Sequence, residues 1–150
     1  MTTVYDLNTI LEDWDNDSRI ESDLSRASTQ TPLLHSKYLR IYSEVKLRLR
    51  VAENNQKKLL KQKWLYYNGK MTKEEIDQHG WNYDPFDGMK VLKGDMDYYY
   101  EADDDIVKSE DKIQYYKNML DILKEILNNL AWRHQSIKNA IDYKKFEAGV

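Results

Sequence analysis

Apolar side chains recur at a helical period along most of this chain, and where they stop recurring the turn residues begin. With Arg50 set at zero and about 100° allowed per residue, Leu34, Tyr38, Ile41, Val45, Leu49, Ala52 and Leu59 fall between about 180° and 260°. That stripe predicts a helix over about 33–67, opened by Thr31 and Pro32, because proline at the first helical position forfeits no intrahelical bond. A helix on the order of 50 Å long is wider than a compact domain of this size, so it should project or bridge subunits. Before it, two short helices are expected at roughly 3–13 and 19–28, the second started by a capping box of Ser18 and Glu21. Residues 68–94 hold Gly69, Gly80, Gly88, Gly94 and Pro85 and form a connecting region. Within it Thr72 and Glu75 make a second capping box, for a short helix ending near Gly80.

From about 96 to 147 the helical pattern returns, with Asp103, Asp104 and Asp105 near its start, where the macrodipole favours negative charge. A break between Trp132 and His134 stays open. One heptad seam runs through Ile113, Leu120 and Leu127, the other through Tyr116, Leu123, Leu130 and Ile137. Met119, Ile122 and Ile126 widen this stripe beyond a two-stranded seam. The pattern suits an oligomerisation helix contacting more than one neighbour, in a ring or bundle; an intramolecular bundle with the 33–67 helix is the alternative, and one broad stripe can serve both the core and a subunit contact.

Composition narrows the class. Only five glycines and two prolines among 150 residues leave few turns for connecting strands, so the expected fold is all-α. Residues 1–94 are expected to form a DNA-binding region with its connector and 95–150 the oligomerisation helix, within one structural domain. Without cysteine there are no disulfides, thiolate metal sites or cysteine nucleophiles. The N-terminus lacks an export signal, and no run of about 18 apolar residues occurs, so a cytoplasmic protein with no membrane partner is expected.

The net charge of −3 conceals blocks of opposite sign. Residues 1–30 carry seven acids and two bases, or −5; residues 31–73 carry two acids and eleven bases, or +9. Residues 74–111 carry thirteen acids and three bases, or −10; residues 112–150 carry four acids and seven bases, or +3. Within the basic block, Lys46, Arg50, Lys57, Lys61 and Trp64 fall within about 40° of zero, opposite the apolar stripe, with Arg40 and Lys58 on the shoulder. Glu44 and Glu53 are its only acids, so the i,i+4 pairs that decorate a merely solvated helix are nearly absent. The helix ends in KQKWLYYNGK, aromatics interleaved with lysines, which suits single strands whose bases are free to stack. The candidate nucleic-acid-binding residues are Lys46, Arg50, Lys57, Lys58, Lys61, Lys63, Trp64, Tyr66 and Lys70, with Tyr67 assigned to the core. A purely structural assembly protein, its basic face only solvated, is the competing reading.

No chemistry beyond binding is visible. His35, His79 and His134 are scattered without metal-ligand spacing, and no phosphate-binding glycine loop occurs. Three consecutive aspartates point in different directions on a helix, which argues against a Mg²⁺ site and for a solvated helix start. The expectation is no enzyme and no cofactor.

Two segments carry a family resemblance: LHSKYLRIYSEVKLRLRVAENNQKKLLKQKWLYYNGK over 34–70 and IKNAIDYKKFEAG over 137–149. Here the chain resembles the UvsY family, recombination mediators of tailed bacteriophages. The resemblance implies single-strand binding by a Lys-x-basic run followed by Tyr-Tyr-x-Gly, matched here by Lys61, Lys63, Tyr66, Tyr67 and Gly69. Lys63 stands where the family usually has arginine, keeping charge but losing bidentate geometry. Also implied are a ring of six or seven subunits, single-stranded DNA wrapped on it, a RecA-like recombinase and a single-strand-binding protein as partners, and the host cytoplasm as location. One conflict stands out: Lys61 lies near 20° and Lys63 near 220°, so one continuous helix cannot aim both at one strand. Either the helix ends early, or Lys63 meets DNA across a subunit boundary.

Overall fold

Three aspartates and a threonine start four of the five helices found among the described residues, each accepting a backbone amide that no helical carbonyl can reach. In the computed structural model, which describes residues 5–150, the helices are α1 (Leu7–Asp17), α2 (Leu24–Tyr67), α3 (Lys73–His79), α4 (Met96–Glu101) and α5 (Asp104–Glu147). Asp6 accepts from Thr9 N at 2.7 Å, Asp23 from Arg26 N at 3.1 Å, Thr72 from Glu75 N at 3.3 Å, and Asp103 from Asp105 N and Ile106 N at 2.9 and 3.1 Å. Among the described residues there is no strand, and the fold is all-α.

Several boundaries differ from those expected. The first helix is Leu7–Asp17 rather than 3–13, and residues 3 and 4 of that expectation lie outside the described residues. Ser18 closes α1, its N–H donating to Trp14 O at 2.7 Å, instead of opening a capping box with Glu21. Asp23 takes the capping role, and α2 runs unbroken through Pro32. The proline costs the Ser28 carbonyl its amide partner, yet the preceding turns are secured by buried Ala27 and by Thr31 Oγ1 donating to Ala27 O at 3.0 Å. The Thr72–Glu75 capping box forms as expected, and α3 ends at Gly80 in the left-handed conformation with φ 69°. The expected helix over 96–147 is broken at Ala102 and Asp103, because the Asp103 carboxylate caps α5 from outside it. Between Trp132 and His134 no break occurs.

The chain packs as two compact units, Met1–Arg48 with Tyr116–Val150, and Leu49–Tyr115. In the first unit Ile10, Tyr38, Val45, Met119, Leu123 and Leu130 are buried. Trp14 meets Tyr38 edge-on, with centroids 5.5 Å apart, and Tyr38 Oη donates to Asp17 at 2.8 Å. Burial, then that bond and the nearby carboxylates, push the Tyr38 phenol well above its ordinary range. Lys37 Nζ lies 2.6 Å from the Asp17 carboxylate and 3.6 Å from Asp13. Arg133 is buried, its guanidinium donating to the carbonyls of Asp17, Ser18 and Arg19 at 3.0 to 3.4 Å, while its Nε has no partner among the described residues. A cation on the carbonyls at and just beyond the end of α1 both satisfies them and complements the helix dipole.

Candidate nucleic-acid interface

The second unit is organised around the end of α2. Gly69 adopts φ 68°, a conformation open to glycine at little cost. The turn it makes directs Gly69 N to Tyr66 O at 3.2 Å and Lys70 N to Leu65 O at 2.9 Å, a Schellman closure. The chain returns on itself, and Lys70 Nζ comes to rest 4.7 Å from the centroid of the Trp64 ring. The second left-handed glycine, Gly80, brings Trp81 against Tyr66, with centroids 5.0 Å apart, and His79 stacks on Trp81 at 4.2 Å.

On the outer side of α2 in this unit, Arg50, Lys57, Lys58 and Lys61 are exposed, as is Lys70 beyond its end, and Trp64 is 47% exposed. Lys46, also exposed, belongs to the first unit. Among the described residues, none of these cations forms an ion pair with a carboxylate. The spacing 50, 57, 61, 64 keeps one helical face. Such a row presents charge for phosphate neutralisation beside a ring on which a base can stack.

Lys63 and Tyr66 correct the expectation of an exposed strand-binding pair. Because α2 stays helical through Tyr67, Lys63 points to the side opposite Lys61 and is only 4% exposed. Its ammonium lies 2.9 Å from both the Asp103 and the Asp105 carboxylates and 3.9 Å from the centroid of the Trp81 ring. Tyr66 is buried, donating from its hydroxyl to Asn82 O at 2.5 Å. Tyr67, assigned to the core from its position, is in the core, its hydroxyl donating to Asp103 at 2.7 Å. Both phenols are raised above their ordinary range, by burial first and then by Asp103. For Asp103 itself burial works upward, but hydrogen bonds from Tyr67, Lys63 and the Ile106 amide and the Lys63 charge hold the carboxyl below its usual value. The aspartate run therefore starts a helix as expected, but Asp103 is not solvated. Asp103, Asp105 and Trp81 were not singled out as partners from sequence; the one available signal was the placement of Lys63 at 220°, inside the apolar stripe.

The model of a family described as the recombination, repair and ssDNA-binding protein UvsY matches residues 13–150. The chain belongs to the UvsY family. It is 28% identical over 144 residues to the recombination protein UvsY of Enterobacteria phage T4, covering 95% of this chain and 98% of that protein. Crystal structures of the bacteriophage T4 recombination mediator protein UvsY are similar to it. The lattice type II form has a TM-score of 0.78 at 27% identity, covering 97% of this chain and 99% of that one. The lattice type I form has a TM-score of 0.76 at 26% identity, covering 93% and 98%.

For this UvsY-family chain the expected oligomerisation seam faces inward. Ile113 in the second unit and Leu120, Leu123, Leu130 and Ile137 in the first are buried, and Tyr116 and Leu127 are half-buried, within a single chain. The stripe serves the chain's own core. Further along α5, Trp132, Tyr143 and Phe146 are left exposed, Phe146 at 80%. Among the described residues no group of three or more metal-binding side chains gathers, and no helix is long and apolar enough to cross a membrane.

Proposed function

We propose that this chain is a recombination mediator that binds single-stranded DNA and helps load a RecA-like recombinase onto DNA covered by single-strand-binding protein. The observation that carries the reading is the exposed row Arg50, Lys57, Lys61 with Trp64, whose cations have no carboxylate partner among the described residues. Family membership supports the single-strand preference, and so does the form of the site. Lys70 lies over Trp64, so one base stacked on the ring would have a cation beside its phosphate. The strand-binding set is Lys46, Arg50, Lys57, Lys58, Lys61, Trp64 and Lys70. Lys63 and Tyr66 support it from within by fixing the end of α2.

Self-association into a ring would present this face in several copies, so that sites weak individually act together through high effective concentration. A strand bent across several copies would be less suited to the competing binding protein and available for recombinase nucleation. The test is titration of a labelled oligo(dT) strand at two salt concentrations. Lys61→Ala with Trp64→Ala is expected to weaken binding by more than tenfold, since each stacked base contributes about 1–3 kcal/mol. It should also flatten the salt dependence by the release of about one counterion. Unchanged affinity and slope would leave only the structural-assembly reading.

A further inference from the structure

Turned away from Lys61 and Trp64, the second unit carries a cleft that strand binding does not use. It has a volume of about 750 Å³, within the size range of pockets that enclose most of a ligand. Its lining combines four carboxylates, Asp87, Asp103, Asp104 and Asp105, with only two ammonium groups, Lys63 and Lys108. Asp87 and Asp104 are exposed, and the Asp105 side chain is 47% exposed despite its pairing with Lys63. Aromatic rings complete the walls: Trp81 is half-buried, and Tyr98 is 72% exposed with no place in the core.

The chain already demonstrates what such a lining holds. Lys63 places its ammonium 3.9 Å from the Trp81 ring centroid and 2.9 Å from two carboxylates, a cation held by ring quadrupole and ion pair together. The remaining carboxylates, Asp87 and Asp104, and Tyr98 repeat that chemistry at the mouth, where Lys108 is the one further ammonium of the lining and, among the described residues, is neither ion-paired nor set over a ring. Excess negative charge excludes a polynucleotide backbone from this side. We propose that the cleft docks a basic segment of a partner protein, with a lysine or arginine side chain entered between Tyr98 and the Asp104 carboxylate. The proposal is independent of strand binding, because the two surfaces lie on opposite sides of α2.

The test uses the full chain and a fluorescein-labelled hexa-arginine peptide, followed by anisotropy. Tyr98→Ala and Asp104→Asn are each expected to weaken peptide binding by about fivefold, the size of one cation–π contact or one partly exposed ion pair. Glu74→Gln, which removes the same charge from exposed α3, should leave it unchanged. Oligo(dT) affinity should be the same in all three variants. Absence of peptide binding, equal weakening by Glu74→Gln, or no effect of Tyr98→Ala would each overturn the docking site. Loss of oligo(dT) binding in Tyr98→Ala would assign the cleft to the polynucleotide and overturn it as well.

Discussion

Lys63→Met would leave the buried Asp103 carboxylate facing a thioether, with Tyr67 as its remaining side-chain donor. Breaking one side of a buried pair costs about 3 kcal/mol or more, so a clear fall in the urea midpoint is expected. Lys63→Arg should recover part of it. The carboxylate also gives the pair a pH signature. The Asp103 carboxyl in the folded chain titrates below the 3.8 of an unperturbed aspartate. Its contribution is therefore fully present above pH 3.8 and is lost as the pH falls through the lower folded value. Asp103→Asn should remove that acid-dependent share, which urea melts between pH 5 and 3 would measure. At this scale the sequence carried half the answer. The angle of Lys63 marked it as inward-facing, but Asp103 and Asp105 stand forty or more positions away, and periodicity contains no information about which distant carboxylate meets a buried ammonium.

Helix α3 was legible from start to stop because both of its signals are local: Thr72 and Glu75 satisfy each other's amides, and Gly80 supplies the left-handed residue that ends the helix. Pro32 and Asp103 misled for the opposite reason. Proline starts a helix or sits inside one according to whether the preceding residues are held by packing, and Ala27 is buried. The break before α5 exists because a carboxylate fixed by side chains of another helix caps it. Pro32→Ala returns an amide to the Ser28 carbonyl and relieves the ring's clash with it. A gain of about 1–3 kcal/mol in unfolding free energy is expected, read from denaturant curves, if the measured slope stays constant.

At the level of the whole chain, a heptad stripe does not say whether its partner is another copy or another helix of the same molecule. Leu123 and Leu130 satisfy themselves internally, so Leu123→Asp is expected to unfold the chain rather than yield smaller folded particles. Self-association is better sought at Trp132, Tyr143 and Phe146, which lie within about 60° of one another on α5 and are exposed. Trp132→Ser with Phe146→Ser should move the light-scattering mass toward the 18.0 kDa of one chain while leaving the helical circular dichroism intact. A mass equal to that of the parent protein would exclude this surface. The all-α class and the basic face were readable because each depends on spacing alone; the division into two compact units was not, since it cuts inside both long helices, at no break in either periodicity.

Each unit is also fastened within itself by a cation, and the two clasps answer differently to protons. Arg133 grips three main-chain oxygens that never ionise, whereas Lys63 grips carboxylates that do. Acid can neutralise the second clasp and has nothing to neutralise in the first. A medium acidic enough to protonate Asp103, below pH 3.8, thus loosens the end of α2, where strand and peptide would meet the protein, while Arg133 keeps its hold on the end of α1.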